Sequence, residues 1–219
     1  MDTESLESFC KAYRYYLRGW LPSNLPDCRW LDIGCGQGAL MVLAQELGCR
    51  DIAGIDISDE MLATGRQHCL QVIRADVWQH LAEAASGTLH IVSAFDFLEH
   101  FPKEEGFELL REIRRTLVPG GMCLIKIPNA ASPWGQAVTA SDLTHEAAYT
   151  GVSLTQMATL AGFSRCEVRE VGPAPFTIKS RIRQMLWFFV RIGYRFLNEV
   201  EAGASTSDVF TRVMIAKLS

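Results

Sequence analysis

The chain has 219 residues, 48% of them hydrophobic and 21% charged, enough apolar material for one large core and most simply a single domain over 1–219. Its net charge of −4 argues against a general nucleic-acid binder, its longest apolar cluster (Met185 to Val190) is too short to span a bilayer, and its acidic start lacks the core of a secretion signal. Seven cysteines at 10, 28, 35, 49, 69, 123 and 166 form no CxxC pair, which argues for reduced thiols in a cytoplasmic protein over a disulfide or metal framework.

Residues 3–20 carry Leu6, Phe9, Tyr13, Tyr16, Leu17 and Trp20 at helical spacing before Pro22 and Pro26 break it, so 1–28 reads as an N-terminal helical cap. A strand over 29–34 then enters Asp32-Ile33-Gly34-Cys35-Gly36-Gln37-Gly38. Glycines in a strand-to-helix turn admit positive φ and let backbone N–H groups face a ligand. The spacing is GxGxG, whereas the dinucleotide fingerprint is GxGxxG, and Asp32 suits a ligand that presents a cation more than one that presents phosphates. A helix near 38–48 ends at Gly48, and a second strand, Ile52 to Ile57, contains Asp56. An acid about 20 positions beyond the glycines can accept both hydroxyls of a ribose; the competing role is capping beside Ser58.

Gln71 to Arg74 is a short third strand closing on Ala75-Asp76-Val77, where Asp76 is either a ligand contact or a helix start. Leu89 to Ala94 is a fourth strand, followed by Phe95-Asp96-Phe97-Leu98-Glu99-His100. An amphipathic helix over 103–116 stops at Val118-Pro119-Gly120-Gly121 and feeds a fifth strand, Met122 to Ile127. Strands alternating with helices at this spacing imply a parallel sheet with helices on both faces and ligands outside its carboxyl ends.

The connection from Pro128 to Gly151 is too long for a bare link, so 128–152 reads as a lid-like loop, bearing Asp142, His145, Tyr149 and Thr150 ahead of a helix at 153–161. Strands follow at 163–171 and 209–217, separated by a helical insertion over 173–208. Within it Ile178, Ile182, Met185, Leu186, Phe189, Gly193, Phe196 and Leu197 form one apolar stripe, and no acid interrupts Lys179 to Asn198. Trp187, Phe188 and Tyr194 fall outside the stripe among arginines, the pattern of exposed aromatics meeting an anionic membrane or a sugar phosphate. A packed substrate-domain or dimer helix is the competing reading.

The Asp32 to Gly38 run, Asp56, the D-x-L-E-H run from Asp96 to His100 and the L-x-P-G-G turn from Leu117 together resemble the class I S-adenosylmethionine-dependent methyltransferases. The resemblance implies an α/β, doubly wound, mostly parallel seven-stranded sheet with an antiparallel last strand, a Rossmann-like methyltransferase fold, here with a basic amphipathic helix inserted before that strand. It implies S-adenosyl-L-methionine as cofactor, held by Asp32, Gly34, Gly36, Gly38, Asp56, Ile57, Asp76, Val77, Ala94 and Phe95, with Asp76 toward the adenine amino group and Tyr13 or Arg14 toward the carboxylate. His90 stands where many relatives begin the fourth strand with an aspartate. The P-N-A-x-S-P and D-L-T-H-E runs further resemble bacterial methyltransferases of surface polysaccharide synthesis, implying a sugar or lipid-linked hydroxyl acceptor.

Methyl transfer to a hydroxyl gains most from positioning, and a base adds roughly 10²- to 10⁴-fold. His145 leads as base, His100 is second, and Glu99 or Asp142 follow. Asp96, Glu99 and His100 also resemble the acidic-histidine cluster of quinone O-methyltransferases, but without a fourth ligand no metal is expected. The expectation is thus an enzyme O-methylating a small-molecule, sugar or lipid-linked acceptor in cell-envelope polysaccharide synthesis. The alternatives are a quinone or natural-product O-methyltransferase and a non-enzymatic cofactor-binding domain. Oligomeric state is left open.

Overall fold

The computed structural model describes residues 3–68, 70–203 and 208–219. Along the chain run α1 (Thr3–Tyr16), β1 (Arg29–Ile33), α2 (Ala39–Glu46), β2 (Asp51–Asp56), α3 (Asp59–Gln67), β3 (Val72–Arg74), α4 (Val77–Glu83) and β4 (Leu89–Phe95). They are followed by α5 (Lys103–Thr116), β5 (Leu117–Pro128), α6 (Gly135–Thr139), α7 (Gly151–Leu160), β6 (Cys166–Glu170), α8 (Ile178–Ala202) and β7 (Val213–Leu218). The seven strands form one sheet in the order β3-β2-β1-β4-β5-β7-β6, parallel except for β7, which runs antiparallel to both its neighbours.

Period-two alternation sorts the strand residues between two cores. Leu31, Ile33, Val92, Ala94, Cys123, Ile125, Ile127, Met214 and Ala216 face the core shared with α5 and α7, whereas Trp30, Ile91, Leu124 and Ile215 face the one shared with α1 and α2. Strand order reverses between β1 and β4, so the loops leaving those two strands flank the switch point where such sheets bind ligands.

The boundaries differ from the sequence reading at identifiable places. The first helix ends at Tyr16, and Gly19, at φ +71°, turns the chain so that Leu17 and Trp20 still bury. The fifth strand begins at Leu117, because Leu117 pairs with Leu89 before a bulge shifts the register to Met122 opposite Ile91. The departure at His90 affects only the sheet's entrance, where its Nδ1 accepts the Arg29 amide at 3.1 Å.

The long helix α8 corrects an expectation. Trp187 and Tyr194 do not face outward: they pack on the domain, with Trp187 Nε1 donating to Glu170 at 3.1 Å and the Tyr194 ring stacked on Phe210 at 5.8 Å. The apolar stripe is the exposed face, including Phe189 at 61% and Phe196 at 65%, and Phe188 alone of the three aromatics is exposed as expected. The six cysteines among the described residues are free, and Cys69 lies outside them. No helix is long and apolar enough to cross a membrane, among the described residues.

Candidate functional site

A cavity of about 530 Å³ opens at the carboxyl edge of the sheet over β1, β2 and β4. Gly34, Gly36 and Gly38 adopt φ of +65°, +52° and +82°, the left-handed region that a side chain disfavours. Gly34 also lacks room, since a Cβ there would lie 2.4 Å from the Phe97 ring. Asp56 fixes the turn from the neighbouring strand: Oδ2 accepts the Gly36 amide and Oδ1 the Ser58 amide, each at 2.9 Å. A carboxylate oxygen accepts more than one hydrogen bond, so Asp56 retains capacity for a ligand hydroxyl on the cavity side.

Of the ten cofactor contacts expected from sequence, Gly34, Gly36, Asp56, Ile57, Asp76, Val77 and Phe95 line this cavity. Asp76 has both roles that the sequence left open: it lines the cavity while Oδ1 caps α4 through the Trp78 and Gln79 amides at 2.9 and 3.1 Å. Ile57, on the cavity wall, is an apolar side chain left 69% exposed. Gly38 and Ala94 do not line the cavity; Gly38 caps α2 and Ala94 is buried in the sheet.

Asp32 also lies outside the cavity, buried at 3% exposure. It accepts the Ser93 hydroxyl at 2.5 Å, and Ser93 in turn accepts the Trp30 indole N–H at 2.8 Å. Burial pushes its carboxyl up to about 7. A smaller pocket of about 210 Å³ joins Asp32 to Gln37, Lys126 and Phe9 and shares Gly34, Phe95 and Asp96 with the large cavity. Asp32 and Lys126 there suit a zwitterion, and Lys126 went unnoticed in the sequence because its pairing with Asp96 crosses from one strand to the next. Tyr13 lies beside that lysine, whereas Arg14 points away to pair with Glu46 at 2.9 Å. Met61, Phe97 and Phe101 also line the large cavity and had no motif to announce them.

The two histidine candidates are neighbours, their rings 5.1 Å apart. The Thr144 hydroxyl donates to Asp142 at 2.7 Å, so at its 3.0 and 3.2 Å contacts with Thr144 the His100 Nδ1 acts as donor, leaving Nε2 an acceptor. His145 Nδ1 donates in the same way to the Thr139 carbonyl at 3.0 Å. Between them Glu99 is 2% exposed with neither carboxylate oxygen hydrogen bonded among the described residues, and burial pushes it up to about 7, aided by the charge on Asp96. Glu99, His100 and His145 offer ligand atoms within 4.8 Å of one another, room for a shared proton or a cation. The Asp96-Glu99-His100 grouping suggested by spacing does not form, because Asp96 (φ +49°) turns to Lys126 and His145 takes its place. His100 belongs to both the cluster and the large cavity.

A family model described as a methyltransferase domain matches residues 5–168. The chain is 33% identical over 110 residues to a ubiquinone biosynthesis O-methyltransferase of Burkholderia vietnamiensis, covering 47% of this chain and 46% of that protein. It is 28% identical over 165 residues to the one of Psychrobacter arcticus, covering 67% and 63%. The chain thus spans about half the length of the first of these curated relatives. A solved S-adenosylmethionine-dependent methyltransferase from Archaeoglobus fulgidus superposes with a TM-score of 0.70 at 21% identity over 99% of both chains. Magnesium protoporphyrin IX methyltransferase from Synechocystis PCC 6803, solved with bound SAH, gives 0.58 at 16% identity over 98% of this chain and 84% of that one. Likeness at these identities establishes a shared fold.

Proposed function

We propose, from the premise that the chain belongs to the class I S-adenosylmethionine-dependent methyltransferase family, that it methylates the oxygen of a small hydroxylated acceptor. The observation that carries this reading is His100, which lines the cofactor-sized cavity and stands in the Glu99–His145 cluster, putting proton acceptors beside the place where a donor would lie.

The residues fit the cofactor in kind. Asp56 presents a carboxylate for ribose hydroxyls, Ile57 and Met61 an exposed apolar clamp for a base, and Asp76 an acceptor for an exocyclic amine. Asp32 and Lys126 in the adjoining pocket match an amino-acid end. Bound S-adenosylmethionine supplies an electrophilic methyl carbon on a sulfonium. The protein's own work is then to orient the acceptor oxygen, exclude water beneath the 128–152 loop, and receive the hydroxyl proton at His145 or His100, with Glu99 able to hold it afterwards.

Two acceptor classes follow from different observations. The Pro128-to-Glu146 motifs support a sugar or lipid-linked hydroxyl of envelope polysaccharide synthesis, the first reading. The curated relatives' names support a phenolic quinone precursor, the second. Incubation with methyl-labelled donor and a panel of sugar phosphates and catechols separates them by which class takes up label. Isothermal calorimetry tests the cofactor site itself: Asp56→Ala and Gly36→Val are each expected to lower S-adenosylmethionine affinity at least ten-fold, and unchanged affinity in both overturns the assignment.

A further inference from the structure

We propose that the outward face of α8 is a docking surface for an anionic phospholipid membrane. The helix is sorted into two stripes. Ser180, Gln184, Trp187, Arg191, Tyr194 and Asn198, spaced by four and three, are the partly buried positions that face the domain. Their contacts fix the helix's rotation: Gln184 donates to the Tyr15 hydroxyl at 3.2 Å, Trp187 and Arg191 meet Glu170, and Trp134 of the long loop packs on both Trp187 and Tyr194. The Arg195–Asp208 pair, at 2.7 Å, adds a further tie on the flank.

The opposite stripe, Ile178, Ile182, Met185, Phe189, Ile192 and Phe196, is left 47–79% exposed, with Leu186, Phe188, Leu197 and Val200 beside it. Together they leave on the order of 1,000 Å² of apolar surface in one band, beyond the roughly 300–600 Å² of the largest patch on a typical monomer. An apolar face this large on a helix fixed by specific bonds is made to be covered.

Charge selects the cover. Residues 178–198 carry five cations, Lys179, Arg181, Arg183, Arg191 and Arg195, and no acid, so in a chain of net charge −4 the remainder stands at −9. Lys179 and Arg181 are exposed along the two flanks of the apolar stripe, positioned for their heads to reach past it, while Arg183 lies on the domain side with Lys11 and Arg212. Two copies of α8 packed on one another would set these flanks against each other with no carboxylate until Glu199 to relieve them, which disfavours self-association. An anionic bilayer meets both demands: acyl chains take the stripe, headgroups take the cations, and the acidic body is turned away.

The fold puts this surface on the side of the reaction. The segment holding α8 leaves β6 after Glu170, which pairs with Met214, and rejoins β7 at Val213, which pairs with Pro128 at the carboxyl end of β5, the same edge of the sheet as the glycine turn. Docking would therefore present that edge toward the membrane, whatever the acceptor.

Co-flotation with vesicles tests the proposal. Full-length protein is expected to float with vesicles of equal parts phosphatidylglycerol and phosphatidylcholine and not with phosphatidylcholine alone, and to be released as salt rises from roughly 0.05 to 0.5 M. Phe189→Glu with Ile182→Glu, and separately Lys179→Glu with Arg181→Glu, should each cut partitioning about ten-fold or more. Unchanged melting temperature and S-adenosylhomocysteine affinity in these variants show that the fold and the cofactor site are intact. Flotation indifferent to phosphatidylglycerol, no flotation, or a dimer in sedimentation velocity that Phe189→Glu dissociates overturns the proposal, the last by showing a second copy on the stripe.

Discussion

At single residues the site sets function against stability. Asp32 is buried beside Ser93 with its carboxyl pushed up to about 7 by burial. A carboxyl whose folded pKa exceeds its unfolded value of about 3.9 binds its proton more tightly when folded, so its stabilising contribution is complete below pH 4 and is lost as pH rises through 7. Asp32→Asn keeps an acceptor for Ser93 and removes the buried charge. The variant is expected to melt several degrees above the wild type at pH 8, equivalent to about 1–3 kcal/mol, with the gap closing toward pH 4. The same change should weaken S-adenosylmethionine binding at least ten-fold, because an ammonium would lose its carboxylate. A melting gap that is flat between pH 4 and 8 rejects the charged, ligand-ready Asp32. Glu99, also pushed up to about 7, makes a kinetic prediction over the same pH window. It can accept a proton only once it has lost its own, so turnover should rise with pH through about 7, and Glu99→Gln should flatten that limb. His145→Ala should lower turnover by roughly 10²- to 10⁴-fold with cofactor affinity intact. Near-wild-type turnover in that variant disposes of the histidine as base.

At the scale of elements, the long loop is held by backbone bookends and not by its own helix. Asn129 is fully buried, with Nδ2 donating to the Val209 and Thr211 carbonyls at 2.9 and 3.0 Å, and Ser132 donates to the Phe210 carbonyl at 2.9 Å. Gly135 closes on this anchor so tightly that a Cβ would stand 2.1 Å from the Asn129 carbonyl oxygen. Gly135→Ala must push the loop off its seat, costing about 1–3 kcal/mol. Because the loop carries His145 but does not line the cofactor cavity, turnover should fall several-fold or more while calorimetric S-adenosylmethionine affinity stays within about two-fold. An affinity loss as large as the turnover loss would mean the loop shapes the cofactor site instead. Elements with one amphipathic face were legible from sequence: α5 spans the expected 103–116, since its buried Leu109, Leu110 and Ile113 recur at helical spacing. The rotation of α8 was not. A helical wheel assigns the apolar stripe inward by default, and the acid that draws the opposite face onto the domain, Glu170, lies outside the helix's own sequence.

Across the whole molecule, what could be read from sequence was whatever is local in the chain. The glycine turn, Asp56, Asp76 and the Asp96-to-His100 run are each short stretches at strand ends, and the parallel sheet needed only to bring those ends to one edge. The parts that escaped are made by contacts between distant residues: Ser93 with Asp32, Lys126 with Asp96, and His145 brought across a long loop to His100. Strand order makes a last prediction about how far ligand binding spreads. Among the strands the large cavity touches the carboxyl ends of β1, β2 and β4, and β5 reaches only the adjoining pocket through Lys126, while β7 and β6 lie progressively farther along the sheet. Saturating S-adenosylhomocysteine should therefore slow amide hydrogen exchange at 34–38, 56–61, 75–78 and 95–101, by an amount that grows with ligand concentration. Exchange across 166–170 and 178–202 should change less than about two-fold, because no lining residue connects the cavity to those elements and local opening there does not expose it. Protection of α8 equal to that of the glycine turn would show that cofactor binding and the outer helix belong to one cooperative unit, and would overturn this division of the sheet.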